Sequence, residues 1–197
     1  MRKDRLLAFS DGVFAIIITI MVLELKVPHE ATLHALKPLV PVFLAYVLSF
    51  VYVGIYWNNH HHLLHAGEHL NGGVMWANLG LLFSLSLFPF STAWFGENAG
   101  DTWPSALYGV VLLAAAIAYF VLQRTLVKAN GGPSGALAQA LGSDWKGRLS
   151  PVLYALGIAV AFLVPWVSPV IYAGVAVLWL VPDRRLTRVR SHDHKTA

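Results

Sequence analysis

The chain has 197 residues, of which 57% are hydrophobic and only 12% are Asp, Glu, Lys or Arg. A soluble domain carries about 25% charged residues, so this composition excludes a soluble globule and indicates a membrane protein. The absence of cysteine excludes disulfides, thiol catalysis and iron–sulfur clusters, and the net charge of +4 fits basic cytoplasmic loops better than nucleic-acid binding.

Long uncharged stretches predict helices that span the membrane, because about 20 helical residues cross its hydrocarbon core. Four predicted spans cover residues 6–27, 39–57, 74–95 and 106–122. A fifth stretch, residues 149–182, is too long for one crossing and has Pro165, Ser168 and Pro169 at its middle. We expect it to form a hairpin of two short helices, since proline is well tolerated at the start of a returning helix. The predicted fold is an all-α, polytopic membrane protein with six spans.

The distribution of basic residues predicts the orientation of these spans. With a cytoplasmic N-terminus, six spans place twelve of the fourteen Lys and Arg residues inside and leave only Lys26 and Lys37 outside. Cytoplasmic loops carry such an excess, so both termini are expected in the cytoplasm. We predict a six-helix domain over residues 1–185, a flexible loop over residues 129–147, and a short polar cytoplasmic tail over residues 186–197.

The first span is the most informative one, because it carries Asp11, and an ionisable group inside a membrane helix suggests a function. At 100° per residue, one narrow face of this helix carries three bulky apolar side chains, those of Ile16, Ile20 and Leu23. Thr19 lies on the flank of that face, and Asp11 points nearly opposite to it. Periodicity alone would explain the apolar stripe by lipid contact or packing. Ser10 and Asp11 are interpreted as a buried polar clasp between helices.

A histidine run, residues 60–62 with His65 following, raises the question of a metal site. Only one such cluster occurs, and the zinc signature His-Glu-x-x-His is missing, so no metal site is predicted. The favoured interpretation is that one or two of these histidines hydrogen-bond to the first helix. Phosphate-binding loops, dinucleotide fingerprints and serine nucleophile motifs are also missing, so we expect neither an enzyme nor a cofactor. The Thr-Val-Gly-Tyr-Gly filter of ordinary potassium channels does not occur either.

The most specific pattern lies in the first span, where Arg5 is followed by Phe9-Ser10-Asp11 and then by Ile16 and Thr19. It resembles the signature of the transmembrane protein 175 family of potassium channels. Two weaker elements of the family pattern are also matched: Trp57-x-x-His60 in the second span, and Asn78 followed by Phe88-Pro89-Phe90 in the third. The chain departs from the family at His62, where an arginine is common, and this removes a permanent positive charge.

The resemblance implies a prokaryotic, single-repeat member with four subunits around a central pore that the first helix lines. Ile16 matches the constricting isoleucine of the family, Thr19 its pore-adjacent threonine, and Ile20 and Leu23 would form further hydrophobic layers. The remaining motif residues would tie the first three helices together in the cytoplasmic half: Arg5, Phe9, Ser10, Asp11, Trp57, His60 and Asn78.

The predicted function is therefore a potassium-selective channel with a hydrophobic constriction, acting as a homotetramer in the lipid bilayer of a prokaryotic plasma membrane. Its expected partners are potassium ions and lipid, with no nucleic acid. The alternative is a proton-coupled secondary transporter that uses Asp11 and the cluster His60–His62 as a relay. Such carriers usually show internal repeats and helices broken near the midplane, and the first span contains no proline.

Overall fold

The computed structural model describes residues 3–142 and 144–180, which fold into helices joined by loops. The α-helices of these residues are α1 (Lys3–Leu23), α2 (Val40–Ala66), α3 (Gly72–Ser86), α4 (Phe88–Glu97), α5 (Thr102–Ala129), α6 (Ala136–Leu141), α7 (Trp145–Ala161) and α8 (Ser168–Leu180). Short 3-10 helices precede α2, α6 and α8 at Leu33–Leu39, Gly132–Ser134 and Pro165–Val167. The predicted all-α class is confirmed. The predicted tail, residues 186–197, lies outside the described residues.

Four stretches of the described chain are long and apolar enough to cross a membrane: Lys3–Leu23, Leu33–Ala66, Gly72–Glu97 and Thr102–Ala129. They correspond to the first four predicted spans. The last predicted stretch divides near Pro165 into α7 and α8, which have 17 and 13 residues. Helix α7 is shorter than an ordinary crossing, and α8 is described only as far as Leu180, so the count of six spans stays a prediction.

The third predicted span is not one helix, because the chain breaks between α3 and α4 at Leu87. Pro89 lies in the first turn of α4, and proline has no backbone N–H to donate to the preceding turn. The Leu87 N–H instead bonds the carbonyl of Ser84, and the Ser91 N–H bonds the carbonyl of Leu87. These bonds connect the last turn of α3 to the first turn of α4 across the break.

The second predicted span is too short, since α2 continues past Trp57 to Ala66 and includes the histidine run. Lys3 of α1 stabilises the end of α2, because its Nζ donates to the carbonyl oxygens of His65 and Gly67, both at 2.8 Å. A cation at this position satisfies terminal carbonyls and complements the negative end of the helix dipole.

The loop predicted to be flexible, residues 129–147, is partly helical and is attached to the loop that follows α2. Asn130 Oδ1 accepts the backbone N–H groups of Glu68 and His69 at 2.9 and 2.8 Å, and its Nδ2 donates to the carbonyl of His69. Within α6, Leu137 is buried against the core. Gly, Ala and Ser content alone does not show such tertiary contacts.

Tyr172 of α8 is a central residue of the core formed by α2, α5, α7 and α8. Its hydroxyl donates to the carbonyl of Ser105 at 3.1 Å, and its own carbonyl accepts the hydroxyl of Tyr52 at 2.6 Å. Gly109 and Gly157 leave room for its ring, since a Cβ there would lie 2.1 and 2.4 Å from Tyr172 atoms. This core leaves α1 at one side of the bundle, packed against α2, α3 and α4.

Candidate pore-lining helix and its polar contacts

Helix α1 has one face buried in its own subunit and an opposite face that the subunit leaves uncovered. The buried side chains are Leu6, Ser10, Phe14, Ile17 and Met21. The uncovered face contains the predicted stripe, with Ile16 57%, Ile20 41% and Leu23 80% exposed. Because these bulky side chains contact little of their own chain, the stripe is not part of the subunit core. A second copy or lipid must cover it in a membrane.

Thr19 is exposed on the flank of the same face. Its hydroxyl donates to the carbonyl of Ile16, one turn earlier, at 3.0 Å. A threonine hydroxyl has one donor and two acceptor lone pairs, so this bond uses the proton and leaves the oxygen able to accept. Thr19 is thus an exposed residue whose hydroxyl oxygen keeps acceptor capacity.

A polar cluster of three fully buried side chains links α1, α2 and α3. Asn78 Nδ2 donates to Ser10 Oγ at 3.0 Å, and Asn78 Oδ1 lies 2.7 Å from His60 Nε2. Since the Asn78 amide oxygen can only accept, His60 carries its proton on Nε2. His60 Nδ1 is buried with no hydrogen-bond partner, and Phe14 packs against the ring. This cluster fixes the rotation of α1 about its axis relative to α2 and α3.

Asp11 belongs to a separate contact. The indole Nε1 of Trp57 donates to Asp11 Oδ1 at 2.9 Å, so the partner of the carboxylate is a tryptophan of α2. Both residues are exposed in the single chain, and the expectation of a buried carboxylate is wrong there. Position along the helix is visible in a sequence, but rotation toward or away from a neighbour is not.

Two of the predicted motif residues make no contribution to these contacts within the chain. Arg5 is exposed, and its side chain has no hydrogen bond or ion pair with any residue that the structure describes. Phe9 is 52% exposed and lies within about 20° of Ile16 on the helical wheel, on the uncovered face. The structure thus joins Ser10, His60 and Asn78, and separately Asp11 and Trp57, and leaves Arg5 and Phe9 outward.

The other histidines of the run form an aromatic group at the end of α2. The ring centroids of His61 and His65 are 4.3 Å apart, and those of His61 and Trp57 are 5.9 Å apart. In residues 3–142 and 144–180 no group of three or more His, Cys, Asp and Glu side chains is arranged to hold a metal ion.

A contact that the sequence reasoning missed lies at the opposite end of α1. Lys26 Nζ donates to Glu97 Oε1, which joins the loop after α1 to the end of α4. The hydrogen bond and the charge of Glu97 raise the pKa of Lys26, so the lysine is charged at neutral pH. A signal was available, because Lys26 lies at the end of the first predicted span and Glu97 just after the third, on the same predicted side of the membrane.

The chain resembles several known proteins in sequence. Residues 5–89 match the profile of the family described as endosomal/lysosomal potassium channel TMEM175. The chain is 50% identical over 188 residues to a potassium channel of Chryseobacterium sp. (strain P1-3), covering 95% of this chain and 97% of the relative. It is 37% identical over 128 residues to a potassium channel of Streptomyces collinus, covering 61% and 62% of the two chains.

A solved structure has the same fold. The crystal structure of a lysosomal potassium-selective channel TMEM175 homolog from Chamaesiphon minutus matches with a TM-score of 0.78 and 27% identity, over 91% of this chain and 96% of that chain. The four apolar helical stretches make this chain a multi-pass membrane protein, and a protein of an ion-channel family is not an enzyme. The chain belongs to the TMEM175 family of potassium channels.

Proposed function

We propose that the protein is a potassium channel of a bacterial cell membrane, in which four copies of α1 surround the conduction pathway. The observation that carries the proposal is the uncovered stripe of α1, where Ile16, Ile20 and Leu23 point away from the subunit that holds the helix in place. Relatives from Chryseobacterium, Streptomyces and Chamaesiphon are named potassium channels. A homotetramer brings the four stripes together and buries them.

The stacked stripes would act as a hydrophobic constriction. A narrow apolar ring gates by dewetting, because a passing ion loses water and gains no replacement ligand. Potassium holds its hydration shell less tightly than sodium, so dehydration favours potassium. Ile16 and Thr19 lie within one turn of each other, and the Thr19 oxygen would replace part of the lost water. Selectivity should therefore be smaller than that of a filter built from carbonyl rings.

The membrane placement that we propose has six spans in a domain over residues 1–185, with both termini in the cytoplasm. Exposed tryptophans support two interfaces, because tryptophan is enriched at both membrane boundaries. Near the proposed outer boundary are Trp94, Trp103 and Trp166, and near the proposed inner boundary are Trp57, Trp76 and Trp145.

The polar contacts of α1 have a positioning role in this proposal. The Ser10–Asn78–His60 cluster determines which side of α1 faces outward, and the Asp11–Trp57 hydrogen bond adds a second attachment one residue further. If α1 were rotated about its own axis by 100°, the angle between consecutive residues, Ile16 would turn away from the proposed pore axis. The cluster therefore supports conduction without contacting the ion.

A proton-coupled transporter remains the second candidate, and the contacts favour it less. Asp11 bonds Trp57, whereas His60 bonds Asn78, so these contacts supply no hydrogen-bonded relay from Asp11 to the histidine run. The break between α3 and α4 occurs at Leu87, with no ionisable side chain beside it in the sequence.

A flux assay with purified protein in liposomes tests the proposal. A channel passes K⁺ passively down either gradient without saturation, whereas the transporter would saturate and would require a proton gradient. The mass of the protein in detergent should equal four subunits. A monomeric protein, or K⁺ flux that needs a proton gradient, would contradict the proposal.

A further inference from the structure

The exposed face of α5 carries an apolar stripe that ends in two cations. Val110, Ile117 and Val121 are each about half exposed, and Arg124 and Lys128 continue the same face within about 40° on the helical wheel. The distance along the helix from Val121 to Arg124 is about 4.5 Å. Arg124 and Lys128 therefore lie directly beyond the end of an apolar surface that suits lipid acyl chains.

This face lies away from the proposed pore axis. Helix α5 packs against α3, α4, α7 and α8, whereas α1 packs against α2, α3 and α4. If α1 surrounds the axis, α3 and α4 separate α5 from it, and the exposed face of α5 contacts the bilayer. Lipid is then the neighbour of Arg124 and Lys128.

Arg124 is directed toward the membrane interior. Its guanidinium carbon lies 4.4 Å from the ring centroid of Phe120, one turn closer to the apolar half of α5. Basic side chains near the end of a membrane helix usually extend toward water. The Phe120 ring contacts the face of the guanidinium, so the N–H groups at its edge can still donate to an anion at this depth.

No residue in the described part of the chain supplies that anion. The side chains of Arg124 and Lys128 have no hydrogen bond or ion pair with a described residue, and neither has the side chain of Arg148 in the first turn of α7. The carboxylate of Asp144, which is near this end of α7, accepts the N–H of Gly147 at 2.9 Å as a helix cap. The described part of the chain therefore gives the side chains of Arg124 and Lys128 no anionic partner.

We propose that Arg124 and Lys128 form a binding site for the phosphate headgroup of an anionic phospholipid, whose acyl chains cover the stripe of Val110, Ile117 and Val121. The site rests on the membrane placement in the proposed function. The planar guanidinium suits two-point hydrogen bonding to phosphate oxygens, and Phe120 holds it at the depth of the headgroup. Lys128, one turn nearer to the cytoplasm, adds a second charge to the same headgroup.

The test uses the purified full-length protein in detergent micelles that contain either phosphatidylcholine or phosphatidylglycerol. Native mass spectrometry counts the bound lipids, and the thermal midpoint reports stabilisation. We compare wild type, the double variant Arg124→Gln/Lys128→Gln, and a control variant, Lys37→Gln. The control removes an exposed lysine from the 3-10 helix that precedes α2, far from Arg124 in the proposed membrane placement. Inorganic phosphate at the same concentration is a separate arm.

Phosphatidylglycerol should bind to wild type and to the control and raise their midpoints, whereas the double variant should bind it about 30-fold more weakly, or about five-fold per charge removed. Arg124→Lys keeps the charge and should lose part of the affinity, which gives a readout if the double variant does not purify. Equal binding by wild type and these variants, an equal loss in Lys37→Gln, or the same stabilisation by inorganic phosphate would overturn the proposal. The readout needs no conduction, so K⁺ flux of the same preparations tests the proposed function separately.

Discussion

Replacing Asn78 with leucine tests the polar cluster that holds α1 in position. Leucine has a similar volume, so the substitution removes the hydrogen bonds without opening a large cavity. Ser10 Oγ then loses its donor, and His60 loses the only hydrogen bond of its ring, because its Nδ1 has no partner in the native protein. All three side chains are fully buried, so water does not replace the lost partners.

The expected cost is about 2 kcal/mol. Each buried group left without a partner costs about 1–3 kcal/mol in soluble proteins, which would give about 2–6 kcal/mol for two groups. Hydrogen bonds between membrane helices average nearer 0.6 kcal/mol, because the unfolded reference state also finds partners. The lower end of the first range is therefore the appropriate expectation.

The assay is equilibrium unfolding in mixed micelles with increasing denaturing detergent, followed by circular dichroism. Ser84→Ala is the matched control, since Ser84 is buried in the same helix but its hydroxyl bonds only the carbonyl of Gly80 one turn earlier. We expect Asn78→Leu to lose about 2 kcal/mol more than this control. A difference below about 0.5 kcal/mol would refute the reasoning that the cluster holds α1.

Three further predictions concern other contacts. Gly109→Ala should lower the thermal midpoint, at a cost of about 1–3 kcal/mol, because the new Cβ would lie 2.1 Å from a buried tyrosine hydroxyl. Gly174→Ala, whose Cβ meets nothing within 4 Å, should have no such effect, and equal midpoints would contradict this packing. Glu97→Gln should not unfold the protein, since its ion pair with Lys26 is exposed. Because the pair raises the pKa of Lys26, its contribution is complete below the ordinary lysine pKa and is lost only above it, so wild-type stability should show no step from this pair between neutral pH and mildly alkaline pH. Thr19→Val should reduce K⁺ conductance in liposomes, whereas Thr19→Ser should preserve it. Equal conductance of the two variants would show that the Thr19 hydroxyl does not contribute to conduction.

Local pattern was enough to predict the apolar spans and the uncovered stripe. Charge-free runs determine where helices can cross a membrane, and the 100° rotation per residue places Ile16, Ile20 and Leu23 on one face without tertiary information. Ser10, His60 and Asn78 were found through a motif, and the structure brings them within hydrogen-bond distance.

The features that were predicted wrongly depend on contacts between distant residues. Helix α2 continues through polar residues beyond Trp57, and Lys3, 62 residues before His65, bonds the carbonyls at its end. Asp11 is exposed in the single chain and not buried as expected, because burial depends on which neighbour that side of the helix faces. The break before Pro89 does have a local signal in the sequence, since a proline inside a 22-residue apolar run indicates an interrupted helix.

Disulfide cross-linking tests most directly whether the stripe of α1 meets its copies at a shared axis. The chain has no cysteine, so Ile16→Cys and Ile117→Cys each introduce a single thiol, the first on the uncovered face of α1 and the second on the exposed face of α5. A disulfide requires the two Cβ atoms to approach within about 4.5 Å. On mild oxidation in native membranes, Ile16→Cys should give covalent dimers while Ile117→Cys stays monomeric. Monomeric Ile16→Cys beside efficiently linked Ile117→Cys would contradict the placement of α1 around the pore.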